Sequence, residues 1–282
     1  MKKTNERVWR KLLLLGVTLA ILMMASRCHD AKKAETTAEP TVTVLMYHHL
    51  LPRGEAGKYA GNSIVTYAEE FEKQLDFLCE NEYHTVTPAQ IEAFFYEHTP
   101  LPDKAVLITF DDGYLSNAAV AYPLLKQRKM CATVFLVTGH LGENGQTFSP
   151  ALVQMTDEDT IKKTTDVFTY ACHTEDLHKI HGGTAALCEA TADERAADLQ
   201  TSLAFLKTIH GASQTVFAYP YGAYNDKVKE SLRQAGFRLA FRASEGVVTA
   251  DSDPFALPRF PVDSGVSFSR FCQYFGVCAE NG

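Results

Sequence analysis

Residues 105–113 read AVLITFDDG, an uninterrupted apolar run that ends in two adjacent carboxylates. A run of this kind predicts a strand that is buried on both faces, as in a parallel sheet. Asp111 and Asp112 follow at its carboxyl end, where like charges raise one another's pKa unless a cation or hydrogen bonds intervene. A metal ion on one Asp would remove this conflict and leave the other free to accept a proton. The alternative is an ordinary Asp-Asp-Gly turn after a strand.

Strand-like and helix-like segments alternate on both sides of this run. Strands are predicted at residues 42–47, 105–110, 131–137, 167–172, 215–219, 237–242 and 256–262. Helices are predicted near residues 115–129, 150–155, 192–210 and 226–235, from about Ser267, and after the capping-box threonines Thr66, Thr87 and Thr191. Strands separated by helices imply a parallel sheet, and the chain has no GxGxxG sequence of a dinucleotide-binding sheet. We therefore expect an α/β fold, a distorted or incomplete (β/α) barrel with seven or eight parallel strands.

The first 40 residues differ from the rest of the chain. Five basic residues up to Lys11 precede a short apolar run, Leu12 to Ala25, which is typical of a secretory signal. The run is short for a stable membrane span, which needs about 20 residues. Cys28 ends a sequence similar to a lipoprotein box, but Arg27 stands where a small residue is expected. Cleavage, lipidation at Cys28 and retention as an anchor therefore all stay open.

These features divide the chain into three parts. Residues 1–28 are predicted to be a signal peptide or an N-terminal membrane or lipid anchor, residues 29–40 a linker, and residues 41–282 one catalytic domain. We expect export, with the protein secreted or anchored to the outer face of the cytoplasmic membrane. The net charge of −7 argues against a nucleic-acid partner. Membrane contact is expected only through the N-terminal segment.

Two histidines follow the strand predicted at residues 167–172. His173 and His178 lie five residues apart and can converge on one cation from a loop. With Asp112 they would form a set of two imidazoles and one carboxylate, which leaves positions open for water and substrate. Either histidine alone would more often be an ordinary loop residue. Glu175 and Asp176 are rival ligands that strand alternation gives no reason to prefer.

Two further strand ends carry candidate catalytic groups. A Pro and a Gly bracket Tyr221 in a tight turn that can present its backbone N–H to a developing oxyanion, although a simple strand-ending turn explains the same pattern. The first strand ends in Tyr47-His48-His49, and a histidine at a barrel mouth could protonate a leaving amine. Strand alternation would point His48 and His49 to opposite faces, so only one of them can reach the site.

The motifs together resemble those of the metal-dependent polysaccharide deacetylases of carbohydrate esterase family four, over about residues 42–265. Residues 109–113 (TFDDG) match the first motif of that family letter for letter, which implies that Asp111 is the catalytic base and Asp112 a metal ligand. His173-Thr174 and His178 match the second motif, with one more residue between the histidines than in its commonest form. That spacing is similar to the branch that acts on exported poly-N-acetylglucosamine in biofilms.

The resemblance also assigns the remaining catalytic roles. The same branch places an acid-like histidine early, in a Tyr-His pair that matches Tyr47-His48. Residues 219–222 (YPYG) match the third motif, which implies Tyr221 as the oxyanion donor. The late general-acid histidine of other members is absent, since no histidine follows His210, and this strengthens the case for His48.

Two other departures from the family pattern concern the base and the last motif. Ala218 stands where an arginine is often found before the proline of the third motif, and Arg259 is expected to orient the Asp111 carboxylate instead. The late Asp-x-x-Asp-Trp motif is not recognisable. Three tyrosines near strand ends would either stack against sugar rings or pack: Tyr114, Tyr221 and Tyr224.

The expected function is hydrolytic removal of N-acetyl groups from an extracellular or cell-wall polysaccharide that contains N-acetylglucosamine. The implied cofactor is a divalent metal on Asp112, His173 and His178, zinc above all, with cobalt, nickel or manganese as alternatives. One rival reading is an O-acetyl esterase acting on xylan or cell-wall sugars, because its metal chemistry would be nearly the same. Another is a non-catalytic carbohydrate-binding protein, which would be marked by loss of a ligand or base, and none is lost.

Overall fold

A computed structural model describes residues 40–277 of the chain, except 146 and 213. The predicted signal or anchor at residues 1–28 and the linker up to residue 39 lie outside the described residues. Among the residues described, no helix combines the length and apolar character needed to cross a membrane.

The strands and helices follow the predicted alternation. The strands are β1 (Val42–Tyr47), β2 (His49–Leu51), β3 (Val65–Tyr67), β4 (His84–Thr85), β5 (Ala105–Phe110), β6 (Ala132–Leu136), β7 (Phe168–Cys172), β8 (Ile180–His181), β9 (Thr184–Ala185), β10 (Val216–Ala218), β11 (Leu239–Phe241), β12 (Val247–Val248) and β13 (Phe260–Pro261). The α-helices are α1 (Ala68–Glu80), α2 (Pro88–Glu97), α3 (Tyr122–Gln127), α4 (Glu158–Lys163), α5 (Ala186–Glu189), α6 (Ala192–His210), α7 (Asp226–Ala235) and α8 (Phe268–Gln273).

Seven parallel strands form a curled sheet within residues 40–277. Six of them are ordered β11-β10-β7-β6-β5-β1, and the seventh, β13, pairs with β1 on the side away from β5. Two short strands complete a nine-stranded sheet: β4 is parallel to β5, and β12 is antiparallel to β1 beside β13. Leu257, three residues before β13, makes a parallel bridge to Phe241 of β11. One segment therefore touches both ends of the sheet without pairing fully with either. The predicted distorted, incomplete (β/α) barrel is confirmed.

Period-two alternation sorts the side chains of β5 between two apolar clusters. Val106, Ile108 and Phe110 belong to a cluster shared with the surrounding helices, whereas Ala105 and Leu107 belong to the other cluster. All six residues of β5 are buried, as expected for a strand covered on both faces. By the same alternation Asp111 continues the series of Ala105 and Leu107, and this directs its carboxylate into the barrel.

The helix signals were partly right. The capping boxes at Thr87 and Thr191 are confirmed, and α8 begins after Ser267, whose side chain caps it. The box predicted at Thr66 is wrong. Thr66 is buried in β3 and its hydroxyl donates to the carbonyl of Val262 at 2.8 Å, so α1 begins after Tyr67 without a side-chain cap.

The helix predicted near residues 150–155 is also wrong. The side chain of Gln154 is buried there, accepts from the amide of Ser149 at 2.7 Å and donates to the carbonyl of Thr147 at 2.8 Å. A side chain that bonds nearby backbone groups stabilises a loop in place of a helix. The short helix of this region is α4, which starts at Glu158 after the capping side chain of Asp157.

Candidate active site

Asp112, His173 and His178 meet at the carboxyl edge of the sheet. Asp112 follows β5 and the two histidines follow β7, which is separated from β5 only by β6. The Oδ1 atom of Asp112 lies 3.5 Å from Nε2 of His173 and 3.2 Å from Nε2 of His178. One ligand atom from each of the three residues falls within 4.8 Å of the other two. The structure therefore brings the three residues predicted to bind metal to one point.

A left-handed turn makes the side chains of Asp111 and Asp112 point in different directions. Asp112 has φ of 69° and Gly113 has φ of 83°. Asp is among the few L-residues that adopt this region readily, and glycine adopts it without strain. A Cβ atom added at Gly113 would lie 2.6 Å from the side chain of Leu136, so the close approach to β6 also requires glycine. The turn leaves Asp111 pointing into the barrel and Asp112 towards the histidines.

The backbone of β10 fixes the tautomer of His173. Its Nδ1 atom lies 2.8 Å from the carbonyl oxygen of Ala218, which can only accept a hydrogen bond. Nδ1 therefore carries the proton, and the lone pair of Nε2 points at Asp112. This is the arrangement of a metal-binding imidazole with its second nitrogen held by a backbone carbonyl.

The three side chains fit a divalent cation. The Oδ1 atom of Asp112 is buried and has no hydrogen-bond partner among the described residues, although two imidazole nitrogens lie within 3.5 Å. An unsatisfied buried carboxylate oxygen is costly, and groups that aim at a shared centre without bonding each other are typical of metal ligands. Two nitrogens and one oxygen suit zinc and related transition metals.

Arg259 holds the second carboxylate. Its two terminal nitrogens each lie 2.7 Å from one oxygen of Asp111, and neither side chain is exposed beyond a few per cent. Burial tends to raise the pKa of Asp111, but the guanidinium outweighs burial and the pKa is lowered. Asp111 is therefore an anion of fixed orientation next to the candidate metal ligand Asp112.

His48 and His49 occupy different environments. His49 is buried, with Nδ1 2.8 Å from the hydroxyl of Ser116 and its ring stacked on Tyr114 at 4.9 Å between centroids. Burial lowers the pKa of His49 to about 4. His48 is only partly buried. His49 is therefore part of the packing, whereas the side chain of His48 keeps partial access to solvent.

Tyr221 covers the histidines from the solvent side. Its ring lies 4.6 Å from the ring of His178, and its hydroxyl is 3.3 Å from the carbonyl oxygen of that residue. The backbone of Tyr221 has φ of 58°, a strained value for a residue with a side chain, and such strain clusters at functional sites. The side chain is 51% exposed, so it is available to a ligand.

The remaining candidates of the sequence analysis do not belong to the group of Asp112, His173 and His178. Tyr114 is buried and packs against His49, so it offers no surface to a sugar ring, while Tyr224 is exposed and stacks on Tyr219. Glu175 and Asp176 are not part of the candidate group of metal ligands, and the Asp176 carboxylate pairs with Lys179 at 2.5 Å.

Two residues near the site were missed. Asn117 donates to the carbonyl of His48 at 2.7 Å, and Asp198 of α6 accepts hydrogen bonds from the loop between the two histidines. Asp198 shares the buried face of α6 with Arg195 and Ser202. A run of polar residues on a buried helix face is a signal that could have been noticed, whereas nothing in the sequence indicated Asn117.

Comparison with known proteins assigns the family. The polysaccharide deacetylase family matches residues 98–240, which is half of the chain, and the chain belongs to this family. It is similar to the poly-beta-1,6-N-acetyl-D-glucosamine N-deacetylase of Staphylococcus aureus (strain N315), with 27% identity over 269 residues that cover 89% of this chain and 92% of that protein.

Solved structures share the fold. IcaB from Ammonifex degensii is 29% identical with a TM-score of 0.69, over 80% of this chain and 93% of that structure. The deacetylase PplD of Streptococcus pyogenes, solved in complex with acetate, is 23% identical with a TM-score of 0.72, over 84% of this chain and 99% of that structure. The likeness to PplD concerns the fold alone.

Proposed function

We propose that this protein is a metal-dependent hydrolase that removes N-acetyl groups from an exported or cell-wall polymer containing N-acetylglucosamine. The observation that carries the proposal is the convergence of Asp112, His173 and His178 around an unsatisfied carboxylate oxygen, beside the anion of Asp111. The polymer is supported by the relative from Staphylococcus aureus, whose substrate is poly-beta-1,6-N-acetyl-D-glucosamine by its name.

The residues divide into those that hold the cofactor and those that move protons. Asp112, His173 and His178 would hold a divalent cation, zinc first and cobalt, nickel or manganese as alternatives. When bound, the cation supplies Lewis-acid chemistry, in that it activates water and polarises the acetyl carbonyl.

The protein side of the reaction has three parts. Asp111, kept anionic by Arg259, accepts the proton of the attacking water. The backbone N–H of Tyr221 donates to the oxyanion of the tetrahedral intermediate. His48 donates a proton to the departing amine, which would otherwise leave poorly.

We further propose that the protein works outside the cytoplasm, secreted or anchored to the outer face of the cytoplasmic membrane. The basic head and apolar run of residues 2–25 support export, and they are the expected route of any membrane contact. Cell fractionation followed by immunodetection tests this, and recovery of the whole pool from the cytoplasm would contradict it.

Acetate release from defined polymers tests the activity. The purified protein is incubated with zinc and, separately, with poly-β-1,6-N-acetylglucosamine, chitin oligomers, peptidoglycan and O-acetylated xylan. We expect acetate from the β-1,6-linked polymer and none from the variant Asp112→Ala. Release from the O-acetylated substrate alone would make the protein an esterase, and binding of the polymer without any release would make it a carbohydrate-binding protein.

A further inference from the structure

A single carboxylate on α6 binds the loop that carries both metal-binding histidines. We name residues 173–178 the histidine loop. The oxygens of Asp198 accept hydrogen bonds from the backbone amides of Glu175 at 2.9 Å, Asp176 at 2.8 Å and Leu177 at 3.0 Å. Three of the four residues between His173 and His178 are therefore bonded to one side chain that belongs to another element.

A carboxylate suits this position better than any neutral side chain. Its two oxygens offer about four lone pairs and no donor, so they can accept from three amides that converge on one point. The amide side chain of Asn has one oxygen, and its NH₂ group would face backbone donors. Asp198 is itself 9% exposed, so water cannot easily take over the three bonds.

The opposite side of the histidine loop is held by the segment after β6. The amide of Thr138 donates to the carbonyl of Thr174 at 3.1 Å, and the amide of Gly139 donates to that of Glu175 at 2.9 Å. Thr174 has φ of 77°, so the backbone leaves β7 through a left-handed residue. A loop with such a backbone keeps its shape only when surrounding contacts determine it, and Asp198 supplies those on the side of α6.

We propose that Asp198 is a positioning residue that fixes the histidine loop in its metal-binding shape and thereby sets the affinity for the metal. This inference rests on the proposed metal site of Asp112, His173 and His178. Asp198 does not belong to the three-residue ligand group and acts through the backbone between the two imidazoles. The histidines lie five residues apart. The backbone between them loses conformational entropy when both imidazoles must reach one ion, and a preformed loop reduces that cost.

Zinc titration of the metal-free protein tests the inference without relying on activity. The full-length protein is stripped with a chelator, dialysed and titrated with zinc by calorimetry, beside Asp198→Asn. Loss of groups that orient metal ligands typically lowers affinity about 10- to 100-fold, and we expect a loss of this size. The matched control is Ser202→Ala, one turn further along α6, where a buried hydroxyl bonds the sulfur of Cys172 at 3.2 Å.

The control separates positioning from general stability. Both substitutions remove a buried polar contact of α6 and should lower the melting temperature, but only Asp198→Asn should weaken zinc binding, with Ser202→Ala within about twofold of wild type. Equal affinity of wild type and a folded Asp198→Asn would overturn the inference while leaving the metal site intact. An equal loss of zinc affinity in Asp198→Asn and Ser202→Ala would mean that Asp198 only stabilises the fold, and this would also overturn the inference.

A second variant covers a failure of Asp198→Asn to fold. Asp198→Glu keeps the charge and both acceptors but moves them by one methylene, so it should fold and bind zinc more weakly than wild type. Wild-type affinity in folded Asp198→Glu would overturn the inference. Absence of zinc binding by the wild-type protein would instead remove the proposed function, and with it the role of Asp198.

Discussion

Arg259 and Asp111 form a buried bidentate ion pair across the barrel, with both nitrogen–oxygen distances at 2.7 Å. The guanidinium also donates to the hydroxyl of Thr109 at 3.2 Å and lies 5.5 Å from the ring of Phe135. Asp111 immediately follows β5 and Arg259 immediately precedes β13, so partial closure of the barrel brings the two together. The pair keeps a buried carboxylate charged and oriented at the point where the proposed mechanism needs a base.

Replacing Arg259 by Lys should lower kcat with little change in KM or zinc content. Lys keeps the charge but cannot bond both oxygens in the planar fork of a guanidinium, so Asp111 would lose its fixed orientation. Complete loss of a partner from a buried pair costs about 3–5 kcal/mol, so the free energy of unfolding should fall by less than this.

Steady-state kinetics, zinc analysis and urea unfolding measure the three quantities. Arg270→Lys is the matched control, since its pair with Glu245 at 2.6 Å lies on the surface, where water and salt screen the two charges. A wild-type kcat in Arg259→Lys would show that the guanidinium of Arg259 is not needed to orient Asp111.

Asp111→Asn and Asp112→Asn should separate the base from the ligand. Asp111→Asn keeps the three ligands and is expected to bind zinc while releasing almost no acetate, because an amide cannot accept the proton of water. Asp112→Asn removes the only carboxylate of the ligand set and should lose the metal itself. Zinc stoichiometry and acetate release are measured on the same samples. Substantial turnover by Asp111→Asn would exclude Asp111 as the base.

The sequence predicted those features that depend on neighbours along the chain. The TFDDG run, the two histidines and the strand alternation are local patterns, and they led to the correct fold and to three side chains that do converge. Thr66 shows why other local signals failed, because its hydroxyl bonds a carbonyl 196 residues away in place of its own helix. Asp198 was missed for the same reason, since its partners lie on another element.

His48→Ala should lower acetate release, whereas His49→Ala should lower stability and leave turnover largely intact. A general acid contributes typically 10²–10⁴-fold to the rate, and we expect a loss in that range for His48→Ala. His49 is buried against Ser116 and Tyr114, so its removal leaves a gap in the packing. Kinetics and urea unfolding of both variants give the answer. The reverse pattern would transfer the acid role to His49.

Chelation should abolish activity reversibly and lower the melting temperature. A ligand that binds only the folded state stabilises it by about 2.7 kcal/mol when its concentration is 100 times the dissociation constant. Adding zinc, cobalt, nickel or manganese to the stripped protein should restore the activity and the melting temperature, to an extent that differs between the metals. Asp112→Asn should show no metal-dependent rise in melting temperature. Full activity after exhaustive chelation, with no metal left on the protein, would contradict the proposed mechanism.

The acid sensitivity of the fold should depend on His49. Burial places the pKa of His49 at about 4 in the folded protein, whereas an unfolded histidine has a pKa of about 6.5. Between these values the unfolded state binds more protons, so His49 lowers the free energy of unfolding as the pH falls from 6.5 to 4. His49 lowers the free energy of unfolding by roughly 2 kcal/mol at pH 5 and by roughly 3 kcal/mol at pH 4 and below.

His49→Asn removes that titration and keeps a polar atom within reach of Ser116. Urea unfolding at pH 7.5 and pH 5, with chelator present so that metal release does not contribute, gives the decrease in free energy for each protein. We expect the decrease to be smaller in His49→Asn than in wild type by roughly 2 kcal/mol, although the variant is less stable at pH 7.5. His84→Asn, a matched change at an exposed position, should keep the wild-type decrease. If His49→Asn lost as much stability as wild type between the two pH values, the buried imidazole would not be the group that the unfolded state protonates.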